Sequence, residues 1–326
     1  MIHFLVTADH DYTLRDFFEH WGSRLREQIR VVHYESRPWR RAAPPGTWVF
    51  TDMERLTPVE LSAARELFQR LQTDRSRWRP INDPARVLRR HDLLRELAAR
   101  DINKFHAYSA SELPGTVRFP VFVRSGSNHN GSLSALLSDR KSLERTLAGL
   151  RAAGTHEDLL VVEYCPYDRE DGLFVKRSVM RIASELIPRH MLFSRKWEVK
   201  KPDHVDAACV AEEEDYVKHM PHEKELREVF DIAGIEYGRI DYTVVQGHIQ
   251  IFEINTNPML VPPVQHLAPA RWPSQARSAS LMLQAMEGLN RGLPEPTTGE
   301  IAGLTRASRH QELARRMRHR LCKARP

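Results

Sequence analysis

Short apolar runs alternate with amphipathic segments over the first 80 residues of the chain. Three predicted strands occupy residues 2–7, 29–33 and 47–50. Residues 13–24 carry apolar side chains at helical spacing and predict a helix. Thr57-Pro58-Val59-Glu60 combines an N-cap threonine, a first-turn proline and a capping-box acid, so a second helix is predicted over 58–71. Strands that alternate with helices favour a parallel sheet, but no glycine-rich dinucleotide fingerprint follows the first strand.

The middle of the chain continues with mixed elements. They are helices over 85–99, 142–153, 222–233 and 273–287, strands over 118–124 and 158–164, and a hairpin of 174–182 with 185–193. Between the strand over 118–124 and the next helix lies a Ser/Asn/Gly-rich loop, 125–132. Such a loop can bring backbone N–H groups to phosphate oxygens, although a solvated turn has the same composition.

The most informative pattern is a predicted hairpin within residues 238–260. Residues 239–245 and 249–255 alternate and are β-branched, and we expect a three-residue turn between them, centred on Gly247. That turn places Asp241 opposite Glu253 and Arg239 opposite Asn255, with Cβ atoms about 5 Å apart on one face. A two-residue turn would shift the register and separate the four. The apolar face, expected to pack on the core, comprises Ile240, Tyr242, Val244, Phe252 and Ile254.

This cross-strand square predicts a metal site. Two facing carboxylates repel each other unless a cation lies between them, and the Asn255 amide adds a neutral oxygen. Hard oxygen ligands suit Mg²⁺, which completes its shell with phosphate oxygens and water. The alternative is an amphipathic hairpin with a solvated acidic face.

The same residues carry a resemblance to a known family. Arg-Ile-Asp, eleven residues, then Glu-Ile-Asn-Thr-Asn-Pro is similar to the metal-binding end of the ATP-grasp superfamily, in its carboxylate–amine/thiol ligase branch. D-alanine–D-alanine ligase and ribosomal-protein glutamate ligase have the most similar pattern. The resemblance implies that Asp241, Glu253 and Asn255 hold two Mg²⁺ on ATP, and that Arg239 contacts the transferred phosphate. Met259 stands where the family often has glycine, which leaves the substrate open.

The resemblance also implies ATP-binding residues upstream. In the family, a strand of the form Pro-Val-x-Val-Lys precedes the glycine-rich loop, and its lysine contacts phosphates. Here the strand ends in Arg124, which keeps the charge and can bind phosphate bidentately. The family's second phosphate-binding lysine lies on the preceding helix, where Arg90 is the candidate.

The adenine-binding segment is expected at the end of the strand over 158–164. In the family, this strand ends in a glutamate followed by an aromatic and an aliphatic residue, and the backbone just after the glutamate holds the adenine edge. Glu163 and Tyr164 match, and Cys165 stands at the aliphatic position. On the following hairpin, Lys176 is the basic residue that we expect to contact phosphate.

Composition adds limits rather than a function. Hydrophobic residues make up 41% and charged residues 28%, and no apolar run approaches the roughly 18 residues of a membrane span. The three cysteines show no zinc or disulfide spacing, and we expect a cytoplasmic protein. Residues 304–326 hold eight basic and one acidic residue, leaving 41 basic against 42 acidic elsewhere. The net charge of +6 therefore belongs to a basic tail.

Together these patterns predict an α/β (α+β) chain with the ATP-grasp fold and a Rossmann-like N-terminal domain. The predicted segments are an N-terminal domain (1–84), a central ATP-grasp subdomain (85–160), a C-terminal subdomain with the metal site (161–290) and the basic tail (291–326).

The resemblance implies an ATP-dependent ligase that activates a carboxylate as an acylphosphate and joins it to an amine. Its cofactors would be ATP and Mg²⁺, and its partners small-molecule or peptide carboxylates and amines. Two alternatives stay open: an ATP-grasp kinase that phosphorylates an alcohol, and a nucleic-acid-binding or membrane-binding protein that acts through its tail. The sequence also leaves open a homodimer.

Overall fold

The computed structural model describes residues 1–37, 39, 43–155 and 158–302. They form two compact units. Unit 1 contains Met1–Arg86, Thr256–His266 and the described residues from Ala279 onwards, and unit 2 contains Val87–Asn255 and Leu267–Ser278. The predicted basic tail lies outside the described residues from position 303 onwards. Among the described residues, no helix is both long enough and apolar enough to cross a membrane.

Unit 1 is built on a parallel sheet, as the alternating pattern predicts. Its strands are β1 (Ile2–Val6), β2 (Ile29–His33), β3 (Gly46–Phe50) and β4 (Trp78–Ile81), in the order β2-β1-β3-β4. Helices α1 (Tyr12–His20) and α2 (Pro58–Gln72) lie in this unit. The predicted capping box starts α2, since Thr57 and Glu60 exchange both capping bonds. Strands β1 and β3 are buried along their whole length, which explains their continuous apolar runs.

Unit 2 contains two antiparallel sheets. The smaller consists of β5 (Ala107–Ser109), β6 (Val121–Ser125) and β7 (Leu159–Glu163), in the order β5-β7-β6. Its helices are α3 (Arg90–Ala99) and α4 (Arg140–Ala152). Strand β6 begins later than predicted because Pro120 has no N–H and the Arg118 N–H donates to a side chain, Glu163. Helix α3 also begins later than predicted, since the Leu88 N–H pairs with the carbonyl of Ala233.

The larger sheet of unit 2 carries the predicted hairpins. Its strands are β8 (Phe174–Ile182), β9 (Glu185–Ser194), β10 (Tyr237–Val245) and β11 (His248–Asn255), in the order β11-β10-β8-β9. Helices α5 (Ala207–His219) and α6 (Glu223–Ala233) follow β9 in this unit, whereas α7 (Trp272–Gly288) belongs to unit 2 up to Ser278 and to unit 1 from Ala279 onwards. One face of the sheet packs on a core that includes Leu97, Val179 and Phe230.

Helix α5 is absent from the sequence-based prediction. Its buried face includes Glu213 beside Cys209, Tyr216 and Val217. The Glu213 carboxylate accepts two bonds from Arg271, at 2.6 and 2.7 Å. Because a buried ion pair fills a position where an apolar residue is expected, the helical period was not recognisable in the sequence.

Candidate functional site

The hairpin β10–β11 pairs its four polar residues as predicted, although its turn differs from the predicted one. Its turn has two residues, Gln246 and Gly247, both with positive φ (50° and 81°). The expected three-residue turn was therefore wrong. The tight turn pairs Val245 with His248, and a β-bulge between Asp241 and Tyr242 then shifts the register by one residue. Beyond the bulge Asp241 faces Glu253 and Arg239 faces Asn255.

Phe252 is the extra residue at the bulge. We predicted that it would pack on the core with the apolar face of the hairpin. It packs instead on a separate core cluster that includes Leu94, and it lines a cavity, where its ring lies 5.3 Å from that of Tyr167. Ile251 pairs with Tyr242 and takes the core position. The bulge therefore corrects the register and adds an aromatic side chain to the face that bears the polar square.

A cavity of about 270 Å³ lies wholly within unit 2. Nine of the ten predicted site residues line it. They are Arg124, Glu163, Tyr164, Cys165, Lys176, Arg239, Asp241, Glu253 and Asn255. Apolar and aromatic side chains line it as well, namely Leu94, Phe105, Phe122, Val162, Tyr167, Trp197 and Phe252. The cavity thus combines a charged lining with an aromatic one.

Asp241 is buried and receives several hydrogen bonds. Arg239 donates to Oδ1 at 2.8 Å and to Oδ2 at 3.3 Å, and Lys176 donates to Oδ2 at 3.2 Å. Burial opposes ionisation, but Arg239 and Lys176 outweigh it and lower the pKa of the Asp241 carboxyl. The aspartate is therefore ionised and holds two cations on the cavity wall.

A second layer of polar groups fixes this aspartate. The Ser178 hydroxyl donates to Asp241 Oδ1 at 2.7 Å, and His190 Nε2 lies 2.8 Å from the same hydroxyl oxygen. Since the hydroxyl proton goes to Asp241, Nε2 of His190 must be the donor. Burial lowers the pKa of His190 well below its usual value, so the ring stays neutral.

Glu253 is held by two arginines. Arg90 and Arg124 each donate to Oε2 at 2.7 Å, and His129 lies 3.5 Å from the same oxygen. Burial opposes ionisation, but Arg90 and Arg124 outweigh it and hold the pKa of this carboxyl well below its usual value. Arg124 lines the cavity, so its charge faces the same space as Lys176.

Arg90 differs from the other predicted phosphate-binding residues because it does not line the cavity. Its guanidinium is buried and donates to the carbonyls of Ser125 and Asn128, at 2.8 and 2.6 Å. It thereby connects the start of the loop over 125–132 to Glu253. In this structure Arg90 supports the loop, and its direct contact with phosphate stays a prediction.

The Glu163 carboxylate serves the fold of the small sheet. Arg118 donates to it from its backbone and guanidinium, at 2.7–3.0 Å, and the Tyr108 hydroxyl donates at 3.1 Å. Burial would raise the pKa of this carboxyl, but the bonds from Arg118 lower it on balance. The backbone N–H of Glu163 also donates within the small sheet, to the His106 carbonyl at 2.9 Å.

The loop over 125–132 is attached to the segment after β9. Glu198 accepts from the Ser132 N–H at 2.6 Å and from its hydroxyl at 3.0 Å, while Lys200 Nζ donates to the Asn130 carbonyl. Between these bonds Gly131 has φ +99°, and a Cβ there would collide with Lys200 and Glu198. We call this set of contacts the loop contact.

The loop contact also involves the aromatic lining. Trp197 precedes Glu198 and lies with its ring 5.0 Å from Phe122 and 5.9 Å from Tyr164. The Tyr167 hydroxyl donates to the Trp197 carbonyl. The glycine-containing loop and the tryptophan that lines the cavity are therefore joined by one short segment, 197–200.

Solved structures with a similar fold were found across nearly the whole chain. The Bacillus anthracis D-alanine–D-alanine ligase complexed with ATP covers 95% of this chain and 99% of its own, at 10% identity and TM-score 0.50. The Coxiella burnetii D-alanine–D-alanine ligase covers 98% of both chains, at 16% identity and TM-score 0.52. VanG D-Ala:D-Ser ligase from Enterococcus faecalis covers 88% of this chain and 98% of its own, at 12% identity and TM-score 0.51.

The chain has the ATP-grasp fold. The predicted α/β class and the resemblance seen in the sequence are thereby confirmed at the level of the fold. No protein-family model and no curated protein matches the sequence.

Several residues of this site were not predicted. Trp197 and Glu198 lie in a segment without regular structure, for which the sequence pattern predicts no element. Ser178 and His190 lie on neighbouring strands, and only their register brings them together behind Asp241. A seryl hydroxyl flanked by basic residues on a predicted hairpin carries no signal of that role.

Proposed function

We propose that the chain is an ATP-dependent ligase that activates a carboxylate as an acylphosphate and joins it to an amine. The supporting observation is the cross-strand square of Arg239, Asp241, Glu253 and Asn255 in a cavity that also has an aromatic lining. Planar aromatic groups suit a purine base, and clustered cations suit its phosphates. The proposed partners are small-molecule or peptide carboxylates and amines.

The proposed phosphate ligands are Arg124, Lys176 and Arg239. In the structure each of them is paired with a cavity carboxylate, so each is already placed beside the space that a polyphosphate would enter. Preplaced cations stabilise charge that develops during phosphoryl transfer without having to reorganise. Arg90 would act differently, by fixing the loop over 125–132 from behind.

The donor set also fits Mg²⁺. Asp241, Glu253 and Asn255 offer two ionised carboxylates and an amide oxygen from one face of a hairpin, and these are the ligands that Mg²⁺ prefers. When bound, the ion would neutralise phosphate charge during transfer. Both Asp241 oxygens accept bonds from Arg239 and Lys176, so phosphate oxygens are the alternative partners for these two cations.

The reaction can be written with these groups in place. A carboxylate oxygen of the substrate attacks the γ-phosphorus, the bond to ADP breaks, and ADP leaves. The amine then attacks the acyl carbon, the bond to phosphate breaks, and the ammonium intermediate loses a proton. Arg239 would stabilise the charge on the transferred phosphoryl group and on the tetrahedral oxyanion.

Hydroxylamine trapping tests this proposal. The protein is incubated with Mg·ATP, hydroxylamine and a panel of amino acids, peptides and sugar acids, and hydroxamate and ADP are measured. We expect hydroxamate with at least one acid, and a loss of several orders of magnitude in Glu253→Gln. The control Glu185→Gln, at the exposed first residue of β9, should leave turnover unchanged.

Two results would overturn the ligase proposal. Stoichiometric ADP with a phosphoester of an added alcohol and no hydroxamate would identify a kinase. Full turnover in Glu253→Gln, with an unchanged circular dichroism spectrum, would remove the hairpin from the reaction.

A further inference from the structure

A second group of ligand-type side chains lies outside the cavity described above. It consists of His204, Asp206 and Cys209, in the sequence His-x-Asp-x-x-Cys, where the chain enters α5. One donor atom from each of the three residues lies within 4.8 Å of the other two. We propose that this triad, the HDC triad, is a binding site for a zinc-class divalent transition metal ion.

The backbone already fixes the three side chains on one side of the helix start. Asp206 is the N-cap of α5, and its Oδ1 accepts from the Cys209 N–H at 2.8 Å. Oδ2 of the same carboxylate is 3.0 Å from His204 Nε2. The backbone N–H groups of Asp203 and His204 both reach the Phe193 carbonyl, at 3.2 and 3.3 Å. Little conformational entropy is therefore lost when the donors converge on an ion.

The chemistry of the set selects its metal. A thiolate, an imidazole and a carboxylate form a mixed soft and borderline set, which suits Zn²⁺ and disfavours Mg²⁺. Cys209 and Asp206 supply two negative charges when both are ionised, which balances a divalent ion. Three protein ligands leave at least one coordination position for water. The oxygen ligands of the nucleotide cavity have the opposite preference.

The HDC triad lies at one end of a segment that also contributes residues to the cavity. Residues 195–206 connect β9 to α5, and this stretch contains Trp197 and Glu198 of the cavity and the loop contact. An ion at the HDC triad would tie the end of this segment to the rigid start of α5. The proposal is independent of the ligase reaction, since it concerns only metal binding.

Cobalt(II) is the probe, because thiolate ligation gives a charge-transfer band in the near ultraviolet that oxygen ligands do not give. The full chain is stripped with EDTA and titrated with Co²⁺ in the presence of excess Mg²⁺. We expect a saturable band at one Co²⁺ per chain that Zn²⁺ abolishes. Cys209→Ser should lose the band, whereas Cys165→Ser, which removes the other described free thiol, should keep it.

Asp206→Asn separates ligation from folding. Asparagine is as good an N-cap as aspartate, so α5 should remain intact by circular dichroism while Co²⁺ affinity falls at least tenfold. Calorimetry in buffers of different ionisation enthalpy should give about one proton released per ion, from the Cys209 thiol.

A wild-type chain that shows no thiolate band would overturn the proposal. A band that survives Cys209→Ser would also overturn it, because the ligand would then be another cysteine. Unchanged Co²⁺ affinity in both Asp206→Asn and His204→Gln would show that the triad does not act as a unit.

Discussion

Removing the Glu198 carboxylate tests whether the loop contact matters for nucleotide binding. In Glu198→Ala, the Ser132 N–H and hydroxyl lose their acceptor, and Lys200 loses the acid 3.8 Å from its ammonium group. The loop over 125–132 then keeps its support from Arg90 at one end but loses its attachment at the other. We expect the loop over 125–132 to leave, more often than in the wild type, the position in which the loop contact holds it.

The size of the effect follows from the two bonds. A hydrogen bond to a charged group contributes about 1.5–3 kcal/mol, so two bonds at the low end give about 3 kcal/mol, and we reduce this to about 2 kcal/mol because Glu198 is partly exposed. Apparent affinity falls in proportion to the fraction of chains in the binding-competent state. For about 2 kcal/mol, the dissociation constant of a non-hydrolysable ATP analogue should rise by up to about 30-fold.

Isothermal titration calorimetry with the analogue and Mg²⁺ measures this constant. Glu198→Gln keeps one acceptor oxygen and the side-chain length, so its affinity should fall about fivefold. Glu214→Gln, exposed on α5, should bind like the wild type. Equal affinity for the wild type and Glu198→Ala would refute the reasoning, because the loop contact would then not limit the competent state.

Three further predictions concern His3, Glu163 and Arg90. Burial lowers the pKa of His3 to about 3, so its contribution to stability is complete above the unfolded value near 6.5 and is lost as pH falls towards 3. Between pH 8 and pH 5 the free energy of unfolding, measured in urea, should fall by about 2 kcal/mol more in the wild type than in His3→Phe. The phenylalanine keeps the stacking on Trp48. Glu163→Gln should destabilise the chain by about 1–3 kcal/mol in urea, because its bonds from Arg118 lose charge assistance; an unchanged midpoint would contradict this. Arg90→Lys cannot reach both loop carbonyls and Glu253 together, so calorimetry should show weaker binding of the ATP analogue, and because Arg90 is buried the melting temperature should fall as well; unchanged affinity would contradict its role in holding the loop.

How far the sequence predicted this site is clearest at the hairpin. Alternation and polar spacing predicted that Asp241 would face Glu253, and the structure has that pair. The predicted turn was wrong because Gln246-Gly247 closes the hairpin with two residues. The β-bulge that offsets the resulting register shift cannot be recognised in the alternation of apolar and polar residues. Phe252 continues the apolar alternation, so only the ladder itself reveals that it points into the cavity.

Arg90 illustrates a different limit. Its place on α3 was predicted, and its charge suggested a phosphate ligand. Which carbonyls a guanidinium reaches depends on how α3 and β6 pack together, and a single sequence does not encode that distance explicitly. The same holds for Trp197 and Glu198, whose segment has no periodicity and takes its position from contacts with Ser132 and Tyr167.

The charges around the two facing carboxylates connect these observations. Four cationic side chains bind Asp241 and Glu253, so this cluster holds two more cations than acids. The other charged lining residues are paired among themselves or outside the cluster, Glu198 with Lys200 and Glu163 with Arg118. A buried surplus of this kind is costly unless an anion joins it, and polyphosphate is such an anion. The two carboxylates keep the cations in place while no phosphate is bound, and they hold them where phosphate oxygens can replace a carboxylate oxygen as partner. Under the proposed function the acids therefore have two roles, as candidate metal ligands and as anchors that preorganise Lys176 and Arg124 for a polyphosphate.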